Sequence, residues 1–384
     1  MASGEWLYGW WRATFQGAHG DYADLGFNTV GWRIMSVVFG SLCVPMMYLF
    51  ARKLWPNRTF AIAAATLVCF DGMFFVQSRI GMIDIFPIFL IMLSYTLFLV
   101  HLGSRSERDS IVTLLMTGVA LGLAVSAKWI SLAAMATIIF FLVMRPVLRR
   151  VGISLVEGSW RWGLREGPDL PGGARPGLYV PTAVLAFGLI PIAIYLASWI
   201  PFFTRHQFNS LSEPFLYRPV AYYYEYQGLG VDAVTKQPLV SGIVDIGNPF
   251  IWWASIPAVL SLPYFVLRHR SFPAAVILVG FVAQYLPWSR ITRVIFLYHM
   301  FGGLIFMVLA LAFVLVRMQQ AGPIRIDFWG DRFVLPTRYL VAGYLAVVVL
   351  AFLYFYPVWT GLPISNGSYL NGFPIGKMWL RTWI

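Results

Sequence analysis

Long apolar runs recur along this chain and constrain its fold more than any other feature. A helix needs about 20 mostly apolar residues to cross a bilayer, and ten runs come close to that length. Hydrophobic residues make up 59% of the chain and charged residues 11%, whereas a soluble domain carries about 25% charged residues. We therefore predict an all-α, polytopic integral membrane protein. The predicted spans cover approximately residues 32–50, 59–77, 84–102, 111–127, 129–144, 179–200, 249–267, 272–288, 295–316 and 339–357.

The fourth and fifth predicted spans are short and meet at Lys128-Trp129, so this pair could instead be re-entrant. The sequence before the first span is aromatic and amphipathic, which suits a segment lying in the membrane interface. We divide the chain into this interfacial segment, a transmembrane domain with two long loops, and a C-terminal tail. The interfacial segment covers residues 1–31 and the C-terminal tail covers residues 358–384. The transmembrane domain covers residues 32–357 and includes the long loops 145–178 and 201–248.

The distribution of Arg and Lys predicts the orientation, because cytoplasmic loops carry an excess of both. If residues 1–31 lie outside, every inside segment is basic, and the inside segments hold more than half of the 28 Lys and Arg. Loop 145–178 then faces the cytoplasm, and loop 201–248 and both termini face outward.

The formal net charge is +12, which this orientation explains through cytoplasmic loops and anionic headgroups. We expect membrane lipids, and no nucleic acid, as charged partners. The two cysteines, Cys43 and Cys69, lie inside apolar runs, and the five histidines are scattered. No disulfide framework and no metal site are predicted from these spacings.

One charged stretch interrupts the apolar pattern at the predicted outer surface. Residues 70–84 read FDGMFFVQSRIGMID and include Asp71, Arg79 and Asp84. Charge at membrane depth is costly and is normally paired or functional. Spacing alone gives equal weight to a functional role for Arg79 and Asp84 and to a structural ion pair between them. For Asp71, which precedes Gly72, we favour a structural role at a helix end.

Other polar and aromatic residues are predicted at the same surface. Cations there could hold a phosphate, aromatic rings could stack on a sugar, and a carboxylate could act as a base. Each type of residue also has a simpler explanation. The lysine could extend to the membrane interface, the histidine could be an ordinary loop residue, the aromatic residues could form an interfacial belt, and the arginines could contact lipid headgroups. A transporter vestibule would share this composition. The residues concerned are Lys128, His206, Trp253, Arg290 and Arg293.

Asn248 and Pro249 predict the start of a helix, with Asn248 as the N-cap and Pro249 as the first helical residue. Together with several other strings, this segment resembles the protein O-mannosyltransferase family. The resemblance covers almost the whole chain, and SRIGMIDIF is among its most specific parts. The matching strings are GWRIMSVVFG (31–40), FDGMFFVQSRIGMIDIF (70–86), GLAVSAKWISL (122–132), LSEPFLYRPVAYYY (211–224), IGNPFIWWA (246–254), QYLPWSRITRVIFLYHM (284–300) and KMWLRTWI (377–384).

The resemblance implies a GT-C glycosyltransferase that moves mannose from polyprenyl-phosphate mannose to Ser/Thr hydroxyls of proteins, with inversion, at the outer face of the membrane. Loop 201–248 is too short for the β-trefoil domain of eukaryotic members, so a bacterial or archaeal enzyme of the plasma membrane is expected, and we favour the bacterial type. No cofactor is implied, since the lipid-linked sugar is a substrate; a metal requirement and a dimer stay open. The implied substrate-binding residues are Arg79, Asp84, Lys128, Arg290, Arg293, Trp253 and His206.

Family members are expected to have eleven spans, beginning with one span, a loop carrying an Asp-Glu pair, and a His-Pro-Pro motif. These parts would precede the interfacial helix that GEWLYGWWRATFQG resembles. We expect an N-terminally truncated chain, with another residue replacing the catalytic carboxylate as the alternative. The catalytic base is therefore not assigned. Asp21 and Asp24 follow the position that matches the family's Asp-Glu pair, so neither is predicted to be the base. Inactivity of the chain as given stays an open alternative.

Two other classes of function stay open. One is a GT-C transferase that moves another lipid-linked sugar, such as arabinose or aminoarabinose, onto a lipid or glycan. The other is not an enzyme: a transporter or a non-catalytic partner subunit. Paired broken helices in an inverted repeat would favour transport, and we find no such repeat in the sequence.

Overall fold

The computed structural model describes residues 2–151, 155, 170–200, 224–225, 229–234, 236–290, 297–328, 331–371 and 377. Most of these residues are helical. The helices are α1 Ala2–Gln16, α2 Tyr22–Gly26, α3 Gly31–Leu54, α4 Arg58–Cys69, α5 Gly72–Gln77, α6 Ile85–Leu102, α7 Glu107–Ala127, α8 Ser131–Arg150, α9 Pro176–Ser198, α10 Pro249–His269, α11 Phe272–Tyr285, α12 Phe301–Gln320, α13 Thr337–Thr360 and α14 Asn366–Asn371.

Of the described helices, 8 are long and apolar enough to cross a membrane: α3, α6 to α10, α12 and α13. Two further apolar helices, α4 and α11, are shorter. This arrangement confirms the prediction of an all-α, polytopic membrane protein. Helix α9 contains one π-helical turn at Leu185–Leu189, within a run long enough to cross the bilayer.

The prediction of one continuous span over 59–77 is wrong. Helix α4 ends at Cys69, and α5 begins at Gly72. Asp71 between them is extended, with φ −89° and ψ 136°, and its side chain accepts from the backbone N–H groups of Met73 and Phe74. A cap of this kind satisfies donors that a helix start leaves unpaired, and so favours the break.

The fourth and fifth predicted spans form two separate long helices. Helix α7 has 21 residues and α8 has 20, so each can cross a bilayer, and the structure favours two spans over a re-entrant pair. Helix α8 also runs further than predicted, to Arg150, and α9 begins at Pro176. The described part of loop 145–178 is therefore helical at its start and end.

Helix α12 forms the centre of the bundle, with every residue from 301 to 313 buried. Lipid tails are as apolar as these side chains, so close packing between helices carries the stabilisation. Gly280 of α11 illustrates the closeness: a Cβ built there would lie 2.2 Å from the Phe306 ring. Phe306 in turn contacts Tyr95 of α6 edge-on, with ring centroids 5.3 Å apart.

Short strands link segments outside the bundle. Strand β2, Leu239–Gly242, pairs antiparallel with β1, Tyr224–Glu225, and with β5, Ile364–Ser365. This sheet joins the described part of loop 201–248 to the C-terminal tail. A separate hairpin pairs β3, Ile324–Phe328, with β4, Asp331–Leu335. The strands add local order to a fold that the helices determine.

Candidate functional site

The site forms where the stretch 70–84 meets the start of α10. The carboxylate of Asp71 is fully buried and accepts four hydrogen bonds, from the backbone N–H groups of Met73 (2.9 Å), Phe74 (3.2 Å) and Asn248 (3.2 Å) and from Nε1 of Trp252 (3.1 Å). Burial raises the pKa of Asp71 to about 6, and these hydrogen bonds oppose the rise. The structural role predicted for Asp71 is confirmed.

Asn248 holds the same junction from the other side. It is the N-cap of α10, with Pro249 as the first helical residue, as the sequence predicts. Its Nδ2 donates to the carbonyls of Phe70 (3.1 Å) and Val348 (2.9 Å). Asn248 therefore ties the α4–α5 break to α10 and α13, and fixes the start of the charged stretch.

The buried Asp84 and the partly buried Lys128 form an ion pair, in which Lys128 Nζ donates to Asp84 Oδ1. The alternative that Asp84 pairs with Arg79 is therefore wrong, and so is the interpretation of Lys128 as a lysine extending to the interface. The backbone of Lys128 is extended, with φ −163° and ψ 136°. That geometry ends α7 and turns the side chain back into the protein towards α6.

Arg79 remains exposed, with its guanidinium carbon 5.0 Å from the centroid of the Phe75 ring. Among the described residues it forms no ion pair. Arg33 of α3 reaches the same turn, because a Cβ built on Gly81 would lie 3.5 Å from Arg33 Cγ. Sequence reasoning did not select Arg33 as a site residue; its position in the first turn of α3, beside a predicted outer surface, was the available signal.

The other predicted site residues are not brought to this ion pair by described contacts. Trp253 is 55% exposed on α10, next to the buried Trp252 that binds Asp71. The backbone of Arg290 lies in a 3₁₀ segment, Leu286–Arg290, and its side chain is outside the described set. His206 and Arg293 lie outside the described residues.

The arrangement places positive charge near the junction that Asp71 forms with Asn248 and Trp252. Arg79 presents an exposed guanidinium that no described carboxylate pairs with, and Lys128 lies deeper, held by Asp84. Cations of these two kinds suit a phosphate group, by forked and by point-charge contacts respectively. Within the described part of the chain, no three His, Cys, Asp or Glu side chains come together to hold a metal ion.

Comparison with known proteins gives two family matches. The model for dolichyl-phosphate-mannose-protein mannosyltransferases matches residues 9–205. The model for the C-terminal four-transmembrane region of protein O-mannosyltransferases matches residues 204–383. The two matches adjoin and cover nearly the whole chain.

Individual relatives agree with these matches. The polyprenol-phosphate-mannose–protein mannosyltransferase of Mycolicibacterium smegmatis is 25% identical, over 100% of this chain and 80% of that protein. The protein of the same name from Mycobacterium tuberculosis is 25% identical, over 94% and 78%. Both relatives are bacterial, as the resemblance leads one to expect.

A solved structure shares the fold. It is the S. cerevisiae protein O-mannosyltransferase Pmt1-Pmt2 complex bound to the sugar donor, with a TM-score of 0.60 and 13% identity over 86% of this chain and 78% of that one. This likeness bears on architecture alone, and it confirms the expected GT-C arrangement of helices. From the two family matches, which run from residue 9 to residue 383, this chain belongs to the protein O-mannosyltransferase family.

Proposed function

We propose that this protein is a glycosyltransferase that moves mannose from polyprenyl-phosphate mannose to Ser/Thr hydroxyls of proteins. The observation that carries the proposal is the end-to-end family match, from residue 9 to residue 383. The names of the mycobacterial relatives specify the same donor and a protein acceptor. The positive charges of Arg79 and Lys128 are suited to binding the phosphate of such a donor.

In the proposed reaction, the acceptor oxygen bonds to the anomeric carbon of mannose with inversion, and the bond from that carbon to the phosphate oxygen breaks. The lipid phosphate leaves with the electron pair, and the hydroxyl proton passes to a base. Arg79 and Lys128 would stabilise the charge that develops on the phosphate. Asp84 would act through Lys128, because it holds that ammonium in place.

Asp71 is not a suitable base for this reaction. Its oxygens already accept four hydrogen bonds from Met73, Phe74, Asn248 and Trp252. A general base must reach the proton that it removes, whereas this carboxylate is enclosed in the junction. The base is therefore a different residue, which we leave unassigned.

Transfer assays in membranes containing this chain test the proposal directly. The donor is polyprenyl-phosphate mannose carrying a radiolabel, and the acceptor is a Ser/Thr-rich peptide. A peptide of the same length with Ala at each Ser and Thr is the control. We expect label in the first peptide alone. If the label enters only lipid or glycan, the acceptor is not a protein, and the alternative of a transferase that modifies lipid or glycan replaces this proposal.

The site is proposed to face outward from the plasma membrane, which the basic inside loops support. Ile83, beside Asp84, is 52% exposed, and Val151, at the opposite end of α8 from Lys128, is 63% exposed. In a variant without Cys43 and Cys69, a cysteine at Ile83 should react with a membrane-impermeant maleimide on intact cells. A cysteine at Val151 should react only after lysis, and the reverse pattern would overturn the orientation.

A further inference from the structure

Gln284 is a buried amide that makes no side-chain hydrogen bond to any residue that the structure describes. It lies at the end of α11, and 2% of its surface is exposed. Neither Nε2 nor Oε1 has a hydrogen-bond partner in the described structure. Since both atoms are unpaired, exchanging the amide oxygen and nitrogen would not change this conclusion.

The unpaired amide carries a stability cost. A buried donor or acceptor without a partner costs about 1–3 kcal/mol, and an apolar side chain of similar shape would avoid that cost. The other strongly buried glutamine near the site, Gln77, has this problem at one atom only: its Nε2 donates to Asp245 Oδ2 at 2.6 Å, whereas its Oε1 has no partner among the described residues. Gln284 lacks a described partner at both atoms. An unpaired polar group in a well-packed core therefore needs an explanation.

The position of Gln284, close to Gly302 and Ile130, suggests an explanation for the unpaired amide. A Cβ built on Gly302, at the start of α12, would lie 2.5 Å from Gln284 Oε1 and 3.0 Å from Ile130 Cδ1. Ile130 belongs to the turn that follows Lys128, in which the backbone N–H of Ser131 donates to the carbonyl of Lys128. The amide therefore lies close to the side chain of Ile130, two residues after the proposed phosphate ligand Lys128.

We infer that Gln284 is a sugar-binding residue that recognises a hydroxyl of the lipid-linked donor. A hydroxyl can donate to Oε1 and accept from Nε2 at once, which satisfies both unpaired atoms. A phosphate could accept from Nε2 but would repel the carbonyl oxygen. In this assignment Lys128 and Arg79 bind the phosphate, and the neutral amide of Gln284, close to Ile130, binds the sugar. This assignment rests on the proposed function, since it places a lipid-linked sugar at this site.

The test compares Gln284→Leu with Gln77→Leu in the full chain, in detergent. Binding of polyprenyl-phosphate mannose and of polyprenyl phosphate is measured for each protein, together with the melting temperature. For Gln284→Leu we expect about tenfold weaker binding of the mannose lipid, unchanged binding of polyprenyl phosphate, and an equal or higher melting temperature. Gln77→Leu should lower the melting temperature, because it leaves Asp245 without that donor.

Two results would overturn the assignment: equal weakening for both lipids, or mannose-lipid binding that Gln284→Leu leaves intact. A wild-type protein that binds no sugar-bearing lipid of the tested set better than polyprenyl phosphate would also overturn it. The set of lipids also includes polyprenyl-phosphate glucose and polyprenyl-phosphate arabinose. These separate the proposed role of Gln284 from the proposal that the donor sugar is mannose. If the wild type prefers one of these and Gln284→Leu loses that preference, the role of Gln284 stands and the mannose proposal fails.

Discussion

The backbone N–H of Asn248 donates to Oδ2 of Asp71 across 177 residues of sequence, at 3.2 Å. This bond places the first turns of α5 and α10 against one carboxylate. Two helix N-termini carry partial positive charge, which a buried carboxylate offsets. The junction fixes where the stretch 70–84 begins, and so sets the position of Arg79 and Asp84 relative to α10.

Removing the carboxylate should therefore destabilise the whole protein. Asp71→Ala deletes the cap of α5, worth about 1 kcal/mol, and leaves the N–H groups of Asn248 and Trp252 buried without an acceptor, at about 1–3 kcal/mol each. We expect a loss of at least about 3 kcal/mol, seen as a lower melting temperature in detergent. Asp24→Ala, at an exposed carboxylate, is the control. Equal melting temperatures for the two variants would contradict this account.

Asp71 should also make stability depend on pH. Burial raises its folded pKa from 3.8 to about 6, so between these values the folded protein keeps a proton that the unfolded chain releases. The free energy of unfolding therefore falls as pH rises through this window, by at most about 3 kcal/mol from this group. Asp71→Asn removes the titration. Melting temperatures of both proteins from pH 4 to 7.5 should diverge in slope, and parallel curves would count against the raised pKa.

The sequence predicts the helix caps of this site but not the ion pair between Asp84 and Lys128. The caps Asp71 and Asn248 are local signals, because a cap is read from a few neighbouring residues. The Asp84–Lys128 pair links residues 44 apart, and only the packing of α6 against α7 reveals it. The break after Cys69 was missed because the apolar pattern continues through residues 73–76, and apolarity alone does not distinguish one helix from two.

The ion pair should behave as a coupled unit. Lys128→Met leaves the buried Asp84 carboxylate without this cation, which costs up to about 3–5 kcal/mol. Asp84→Asn should cost less, because Lys128 is only partly buried. The double variant removes both charges, and we expect it to recover much of that loss. Donor binding separates structure from function: if Lys128 holds the phosphate, the double variant stays folded but binds polyprenyl phosphate weakly. Wild-type binding by the double variant would limit the pair to a structural role.

Gly72 is expected to tolerate no side chain. A Cβ there would lie 2.2 Å from the Trp359 ring and 2.5 Å from the carbonyl oxygen of Ile246, and overpacking of this kind costs about 1–3 kcal/mol or more. Gly72→Ala should therefore lower the melting temperature and the yield of folded protein. Gly343→Ala is the control, because a Cβ built on Gly343, inside α13, would meet no atom of another described segment within 4 Å. That change should be neutral or stabilising by about 0.5–1 kcal/mol.

Arg79 should matter for donor binding and little for stability. It is exposed and contacts the Phe75 ring, and surface substitutions usually change stability by less than about 0.5 kcal/mol. The guanidinium forms no ion pair with a described residue, so its charge is available to a phosphate. Arg79→Ala should weaken binding of polyprenyl phosphate by about tenfold or more, since hydrogen bonds to charged groups contribute about 1.5–3 kcal/mol. Arg79→Lys should recover part of that loss, because it keeps the charge without the forked geometry.

Arg338 provides the matched control for Arg79. It is also an exposed arginine over a neighbouring ring, with its guanidinium carbon 4.9 Å from the centroid of Tyr339, but it lies at the start of α13, on the predicted cytoplasmic side. Arg338→Ala should leave donor binding and transfer unchanged. If both variants weaken binding equally, the effect is a general attraction between the basic protein and an anionic lipid. A loss confined to Arg79→Ala, with an unchanged melting temperature, places the phosphate at the turn that ends in Asp84.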